Sequence, residues 1–140
     1  MNKGLLVILG IVIVALLVGG TLYMRKGTPA PQGLPDKLTI ETPLANTVVT
    51  SPLTVKGQAR GTWFFEASFP VKVLDADKKE LGAGVAHAQG EWMTENFVPF
   101  EATIEFTKGA AKNGFIIVAK DNPSGLPEND ASFELPVKFE

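Results

Sequence analysis

The sequence predicts an all-β domain, an antiparallel β-sandwich of about seven strands, preceded by one transmembrane helix. Residues 4–24 form an apolar stretch that contains no charged side chain. Over residues 38–140, apolar and polar side chains alternate with a period of two in several short runs, which is typical of strands that bury one face. These runs are separated by turn residues, and none has the 3.6-residue period of an amphipathic helix.

The apolar stretch is long enough to cross a bilayer as a helix. Helical residues rise about 1.5 Å each, so about 20 of them span a hydrocarbon core of roughly 30 Å. Twelve Leu, Ile and Val side chains fall between Leu5 and Val18, and together they favour insertion by about 4 to 7 kcal/mol. We therefore interpret residues 1–24 as an N-terminal anchor that contacts the lipid bilayer through residues 4–24.

A cleaved signal peptide is the competing interpretation, with Lys3 as its basic start and Gly19-Gly20 near a cleavage site. The apolar stretch exceeds the usual core of about 7 to 15 residues and ends at the basic pair Arg25-Lys26, so a retained anchor is favoured. The flanking charges are nearly balanced and do not set the orientation. A short N-terminal tail and a long C-terminal domain favour an extracytoplasmic domain on a single-pass protein of the cell membrane.

Residues 25–37 (RKGTPAPQGLPDK) predict an extended linker, because three prolines and two glycines disfavour both helix and strand. Residues 38–140 form the predicted sandwich domain. The apolar faces of its seven strands are Leu38 and Ile40; Leu53, Val55, Gly57 and Ala59; Phe65, Ala67, Phe69, Val71 and Val73; Leu81, Ala83 and Val85; Phe100, Ala102, Ile104 and Phe106; Phe115 to Ala119; and Ala131, Phe133, Leu135, Val137 and Phe139. Pro70 and Pro136 predict edge positions or a bulge, whereas FIIVA at residues 115–119 is apolar on both faces and predicts a central strand.

The side-chain inventory argues against several functions. Residues 38–140 carry nine basic and fourteen acidic side chains, a net charge of −5, which argues against a nucleic-acid partner. The chain has no cysteine and a single histidine, His87, which excludes thiol nucleophiles and multi-histidine metal sites. No serine lies in a nucleophile elbow and no phosphate-binding glycine loop occurs. We predict that the protein is not an enzyme and has no cofactor.

Two acidic features need separate interpretations. Glu66 lies within an aromatic stretch, where accepting backbone N–H groups or pairing with Arg60 is favoured over a binding role. Asp121, Glu128 and Asp130 crowd the segment before the last strand, and oxygen-rich loops of this kind can hold calcium. Turns use the same residues for side-chain to backbone hydrogen bonds, so the metal site is the less favoured interpretation.

The candidate binding surface consists of Trp63, Phe64, Trp92 and Met93. Trp63 and Phe64 lead into the third strand, in which at most one of Phe64 and Phe65 can face the core of a regular strand. Trp92 and Met93 fall in a long polar connection. Packing over one end of the sandwich is one interpretation, and an exposed aromatic platform for a protein or glycan is the other.

Four stretches occur in the order found in one known family. They are residues 51–59 (SPLTVKGQA), 65–67 (FEA), 75–77 (DAD), and 122–125 (NPSG) leading to 135–137 (LPV). Together they resemble the immunoglobulin-like domain of bacterial spore germination proteins, although Lys78-Lys79 stands where that pattern has a glycine. The resemblance implies an immunoglobulin-like sandwich outside the cytoplasm, attached to the envelope, and it carries over no catalytic or ligand-binding residue.

We therefore expect a membrane-anchored extracytoplasmic immunoglobulin-like module that acts as a non-catalytic binding domain at the cell envelope. Its expected partner is an envelope protein or a glycan. Two alternatives stay open at this point: an inert structural spacer or assembly domain, and a cell-wall-acting enzyme that uses carboxylates.

Overall fold

The computed structural model describes residue 27 and residues 29–140, of which Pro31–Glu140 form one compact unit. The anchor predicted at residues 1–24 lies outside the described residues. Within the described part of the chain, no helix has the length and apolar character that a membrane span requires.

Nine strands build the domain, and all of its regular structure apart from two single 3₁₀ turns is β. The strands are β1 (Gln32–Leu34), β2 (Leu38–Thr42), β3 (Val48–Val49), β4 (Leu53–Arg60), β5 (Ser68–Asp75), β6 (Glu80–Ala88), β7 (Phe97–Ile104), β8 (Asn113–Ala119) and β9 (Ser132–Phe139). The 3₁₀ turns are Gly61–Trp63 and Pro127–Asn129. The prediction of an all-β fold is confirmed, with nine strands in place of seven.

The strands form one curled sheet in the order β1-β2-β4-β7-β6-β5-β8-β9-β3. All neighbours are antiparallel except β3 and β9, which pair in parallel over two residues. β6 joins the two halves, because His87 lies opposite Ser68 of β5 and also opposite Glu101 of β7. The sheet thereby forms two layers, β1-β2-β4-β7 and β5-β8-β9-β3, around a shared core.

The core follows the predicted alternation most closely in β4. Leu53, Val55 and Ala59 are buried, while the polar residues between them are exposed. At the centre, the ring of Phe69 lies 4.9 Å from that of Phe100, and 5.0 Å from that of Phe64. These rings come from different strands and loops, so the two layers are joined by direct aromatic contact.

The predicted linker contains a strand that the sequence analysis did not expect. Gln32–Leu34 pairs with β2, so the prediction that residues 25–37 contain no sheet is wrong for this part. Its prolines flank the strand and do not interrupt it. The Gln32 side-chain amide donates to the carbonyl oxygens of Ile40 (3.2 Å) and Pro43 (2.6 Å), which fixes the strand to the edge of the sheet.

β6 follows the predicted burial only at its start. Of the apolar residues at odd positions 81–85, Leu81 packs partly buried against the core as predicted, yet Ala83 and Val85 are exposed and Ala86 is buried. Gly82 and Gly84 share the inner face with Ala86, and a Cβ atom at either would press against residues 103–106 at the end of β7. Ala83 and Val85 therefore point outward, because β6 runs too close to β7 to hold larger side chains between the strands.

The two prolines singled out in the sequence both lie at edge positions. β5 as a whole lies between β6 and β8, but the edge position predicted for Pro70 holds locally. Pairing with β8 begins only at Val71, which leaves Pro70 with a neighbour strand on one side. Pro136 lies in β9, whose outer edge is covered by β3 only at Lys138 and Phe139, so its edge position is confirmed.

Candidate functional site

The end of the domain formed by residues 61–67, 89–96 and 120–131 is called the loop end here. β4, β6 and β8 end at this side, and β5, β7 and β9 begin there. The first described strand lies along the edge of the sheet, with Gln32 opposite Ile40, which lies opposite Gly57 near the middle of β4. The Gln32 side-chain oxygen accepts from the Ala45 N–H (2.8 Å) beyond the end of β2.

Trp63 and Phe64 do not belong to an exposed platform. Their side chains are only 2% and 4% exposed, and both pack against Phe69. The Gly61–Trp63 turn, in which the Phe64 N–H donates to the Gly61 carbonyl oxygen (3.1 Å), directs two consecutive side chains inward. A regular strand cannot do this. The prediction of these two residues as binding surface is corrected, and they close the end of the core.

The indole N–H of Trp63 is buried without a hydrogen-bond partner among the described residues. Trp63 forms one wall of a cleft of about 200 Å³, to which Lys37, Arg60 and Lys120 also contribute. The Arg60 guanidinium lies 4.1 Å from the centre of the Phe97 ring, and its Nε donates to the Asp36 carbonyl oxygen (2.9 Å). A water molecule in this cleft is the simplest acceptor for such a buried donor.

Trp92 and Met93 lie in the 89–96 loop, where Trp92 is half-buried against the core and Met93 is 74% exposed. The Gly61 N–H donates to the Asn96 carbonyl oxygen (3.0 Å), and a Cβ atom at Gly61 would overlap the carbonyl oxygens of Trp92 and Thr94. The 89–96 loop therefore packs directly against the backbone of Gly61. Only Met93 of the predicted residues projects fully into solvent.

Phe65, Glu66 and Ala67 form a tight turn whose exposed tip the sequence analysis did not identify. Phe65 and Ser68 exchange backbone hydrogen bonds (2.9 and 3.1 Å), and Glu66 and Ala67 both have positive φ angles of 48° and 63°. These values are typical of a two-residue hairpin turn. Glu66 is exposed and forms no ion pair within the described chain, so the predicted pairing with Arg60 is wrong. Phe65 is exposed because Phe64 takes the inner position.

Large exposed apolar side chains concentrate at the loop end. Three of the seven in the described residues lie there, Phe65, Met93 and Leu126, and a fourth, Phe97, begins β7 next to the 89–96 loop. Sequence analysis found only Met93 among them. The signal for Phe65 was present, since one of two adjacent phenylalanines must face away from the core, but nothing in the sequence decided which one.

The acidic segment is organised by hydrogen bonds within the loop. The Asn122 side-chain amide donates to Asp130 Oδ1 (2.6 Å) and to the Leu126 carbonyl oxygen (2.8 Å). The Asn129 amide donates to Ser124 Oγ (3.0 Å). Across the described residues, no group of three His, Cys, Asp or Glu side chains is arranged to hold a metal ion. The structure therefore does not bring Asp121, Glu128 and Asp130 together as the less favoured calcium interpretation required.

His87 has neighbours that the sequence could not supply. It lies between Ser68 and Glu101 in one row across three strands, a set of side chains that could suggest a catalytic triad. The Ser68 hydroxyl donates to the Phe65 carbonyl oxygen (3.3 Å), however, and Glu101 lies 3.9 Å from Lys56. His87 is exposed and no hydrogen bond joins it to either neighbour, so the row has no geometry for nucleophile activation.

A second surface lies on the outer face of β6, β5 and β8 and is called the outer patch. Its apolar members are Pro70, Leu74, Val85, Phe115 and Ile117. Strand register makes them neighbours, since Pro70 lies opposite Val85, and Leu74 opposite Phe115. Lys78 Nζ lies 3.5 Å from the centre of the Phe115 ring and 2.6 Å from Glu134 Oε2. The sequence signal for this surface was the doubly apolar FIIVA run.

Residues 37–126 match the sequence model of the immunoglobulin-like domain of bacterial spore germination. The chain belongs to this family. The match begins just before β2 and ends within the 120–131 loop, so it covers β2 to β8. Comparison with curated proteins and with solved structures gave no match. Of the resembling stretches, SPLTVKGQA leads into and forms most of β4, and FEA forms the tight turn at the loop end.

The aspartate hairpin keeps its turn despite the replaced glycine. Asp75 Oδ1 accepts from the N–H groups of Asp77 and Lys79 (both 2.9 Å), and Lys78 has a φ of 68°. Lys78 therefore takes the left-handed conformation that a glycine adopts more readily.

Proposed function

We propose that this protein is a membrane-anchored, extracytoplasmic interaction module whose immunoglobulin-like domain presents its loop end to a partner protein of the envelope. Family membership supports a non-catalytic domain. The apolar stretch at residues 4–24 supports anchoring. The isolated Glu66 and the unconnected row at His87 support the absence of catalysis.

The observation that carries the proposal is the concentration of exposed apolar side chains at the loop end. Phe65, Met93 and Leu126 project from three different loops of this end. Flexible methionine and exposed phenylalanine side chains are suited to protein surfaces.

Anchoring relaxes the affinity that the contact requires. A partner in the same envelope meets the domain at a high effective concentration, so a few apolar contacts suffice. Exposed apolar side chains from three separate loops fit an apolar depression on a protein better than a polar glycan strand. An inert spacer is the alternative function, and it predicts no partner at either end.

The test compares the two ends in the full-length protein within its own membrane. A photo-reactive amino acid replaces Met93 in one variant and Val48, an equally apolar exposed residue at the opposite end, in the other. We expect a discrete cross-linked envelope protein from position 93 and none from position 48. The same products at both positions, or none at either, would support the spacer.

Orientation has its own test. Protease added outside intact cells should digest the domain if it is extracytoplasmic, because the loops at residues 89–96 and 120–131 are largely exposed. Survival of the domain in intact cells, with digestion after lysis, would contradict the proposed orientation.

A further inference from the structure

We propose that the surface which the loop end contacts is a basic surface of another protein, on which Lys and Arg side chains surround an apolar depression. This partner chemistry rests on the proposed function, because it describes what the exposed apolar side chains of the loop end would meet. The distribution of charge over the domain supports it.

The net charge of the domain lies in the loops of one end. Residues 61–67, 89–96 and 120–131 carry one basic and six acidic side chains, a net charge of −5. These are Glu66, Glu91, Glu95, Lys120, Asp121, Glu128 and Asp130. The rest of residues 38–140 carries eight basic and eight acidic side chains and is neutral. Arg60 directly precedes the loop end, and counting it there still leaves a net charge of −4.

The connections at the other end of the strands have the opposite sign. They carry four lysines and two carboxylates, a net charge of +2. The connections are residues 43–47, 50–52, 76–79 and 105–112, and their charged residues are Asp77, Lys78, Lys79, Glu105, Lys108 and Lys112. Solubility needs a net charge but not its placement at one end. The acidic character is therefore a property of the loop end and not of the whole surface.

The carboxylates of the loop end are not neutralised by ion pairs within the described residues. The ion pairs found there join Lys56 to Glu101, Lys72 to Glu80, and Lys78 to Glu134. All three lie outside the loop end. The Arg60 guanidinium packs over the Phe97 ring and donates to the backbone of Asp36. The negative charge of the loop end is therefore available to a partner.

Charged and apolar side chains are interleaved at the loop end. Each exposed apolar residue has a carboxylate within two residues along the chain. The neighbours are Phe65 and Glu66, Met93 with Glu91 and Glu95, and Leu126 and Glu128. In protein interfaces, apolar side chains form the centre and charged side chains the rim. Rim charges set the choice of partner and the rate of association. A matching surface has an apolar centre and a basic rim.

Other counterparts fit these charges less well. The carboxylates are distributed over three loops, and no group of three His, Cys, Asp or Glu side chains in the described part of the chain is arranged to hold a metal ion. Anionic glycans and anionic lipid headgroups are repelled by a surface of the same sign. A second copy of this chain offers a net charge of only +2 at its other end, so a more basic protein complements the loop end better.

Charge reversal in the full-length protein tests the proposal in its own membrane. The photo-reactive amino acid at position 93 is combined with Glu66→Lys and Glu95→Lys, which reverse two exposed charges in two different loops. The matched control combines it with Asp77→Lys and Glu105→Lys, an equal change of charge at the other end. We expect the cross-linked product to fall about tenfold in the first variant and to stay unchanged in the control. Equal yields in the two variants would overturn the proposal.

Salt gives a second measurement that needs no charge-changing substitution. Raising the ionic strength from about 0.1 M to about 1 M shortens the screening length from about 10 Å to about 3 Å. The product from position 93 should then fall severalfold. A contact made by apolar side chains alone is not weakened by screening, so an undiminished product at high salt would contradict the basic partner.

The identity of the product completes the test. Mass spectrometry should place the cross-link on another protein, at a site flanked by Lys and Arg residues. A product made of two copies of this chain, or a site among acidic residues, would overturn the proposal. Equal melting temperatures of the variants exclude misfolding. A product insensitive to charge and salt refutes the basic partner and leaves the proposed function standing, whereas no product from position 93 refutes both.

Discussion

The outer face of β4 carries only polar side chains, whereas the outer face of β8 carries the apolar residues Phe115, Ile117 and Ala119. The two surfaces belong to one continuous sheet and cover the same core. β4 alternates between buried apolar and exposed polar residues over its whole length, while β8 alternates between buried and half-buried apolar residues. Burial against the core explains every apolar residue of β4. In β8 it explains only the apolar residues of the inner face.

The comparison shows what period-two patterns report. A strictly alternating strand identifies its inner face and leaves its outer face to water. A strand that is apolar at consecutive positions has two apolar faces. In β8, the core of the domain buries only one of them completely. The half-buried outer residues of β8 are therefore the place to look for a neighbouring molecule.

The largest effect is expected from the adjacent isoleucines of β8, which differ only in the face they occupy. Ile116 is fully buried in the core, and Ile117 is half-buried on the outer patch. In the isolated domain, Ile116→Ala should lower the free energy of unfolding by about 2 to 5 kcal/mol, because it leaves a cavity. Ile117→Ala should cost about 1 kcal/mol or less, since water can fill the space. Chemical denaturation measures both.

Equal losses at the two positions would contradict this comparison. They would mean that Ile117 is as important to the fold as Ile116, and the outer patch would then be a part of the core. The isolated domain of residues 31–140 is suitable for this measurement because it has its own core.

The next largest effect on stability is expected where the 89–96 loop packs against Gly61. Gly61→Ala should lower the stability by about 1 to 3 kcal/mol, because the added methyl group overlaps the carbonyl oxygens of Trp92 and Thr94. The loop should move outward and expose Trp92, which tryptophan fluorescence would detect as a red shift. Gly90→Ala is the matched control in the same loop, since no atom lies within 4 Å of its Cβ position. An unshifted spectrum in Gly61→Ala would show that Trp92 does not depend on this contact.

The sequence predicted the regular strands well because their residues alternate. β4 begins and ends as predicted, and β2, β8 and β9 contain their predicted inner residues. In each of these strands, large apolar side chains stand at alternate positions. Only one orientation of the strand buries them together. The order of the strands and the contribution of β6 to both layers depend on long-range pairing, which has no local signal.

The loop end was harder to predict because local turns override the alternation. The Gly61–Trp63 turn buries two consecutive side chains, so the aromatic character of Trp63 and Phe64 did not identify exposed residues. In β6 the small inner residues are glycines, and a pattern that counts apolar side chains selects the wrong face. Both failures arise where backbone proximity, and not side-chain hydrophobicity, decides the arrangement.

The smallest effect concerns Lys78, which covers one edge of the outer patch. Lys78→Ala removes the contact with the Phe115 ring and the exposed pair with Glu134, which should cost about 0.5 to 1.5 kcal/mol. Lys78→Gly removes the same contacts but also relieves the left-handed conformation at φ 68°, worth about 1 kcal/mol. We expect the Gly variant to be about 1 kcal/mol more stable than the Ala variant and close to the original protein in thermal denaturation.

Comparing the original protein with its Ala and Gly variants at Lys78 separates the effect of the turn conformation from the effect of the lysine side chain on the outer patch. Equal stability of the Ala and Gly variants would show that the hairpin rearranges when Lys78 is replaced. An Ala variant as stable as the original protein would show that the lysine side chain contributes nothing to the monomer. The lysine side chain could then leave the Phe115 ring at no cost in stability. The same measurement therefore tells whether Lys78 holds the ring covered or leaves it accessible to another surface.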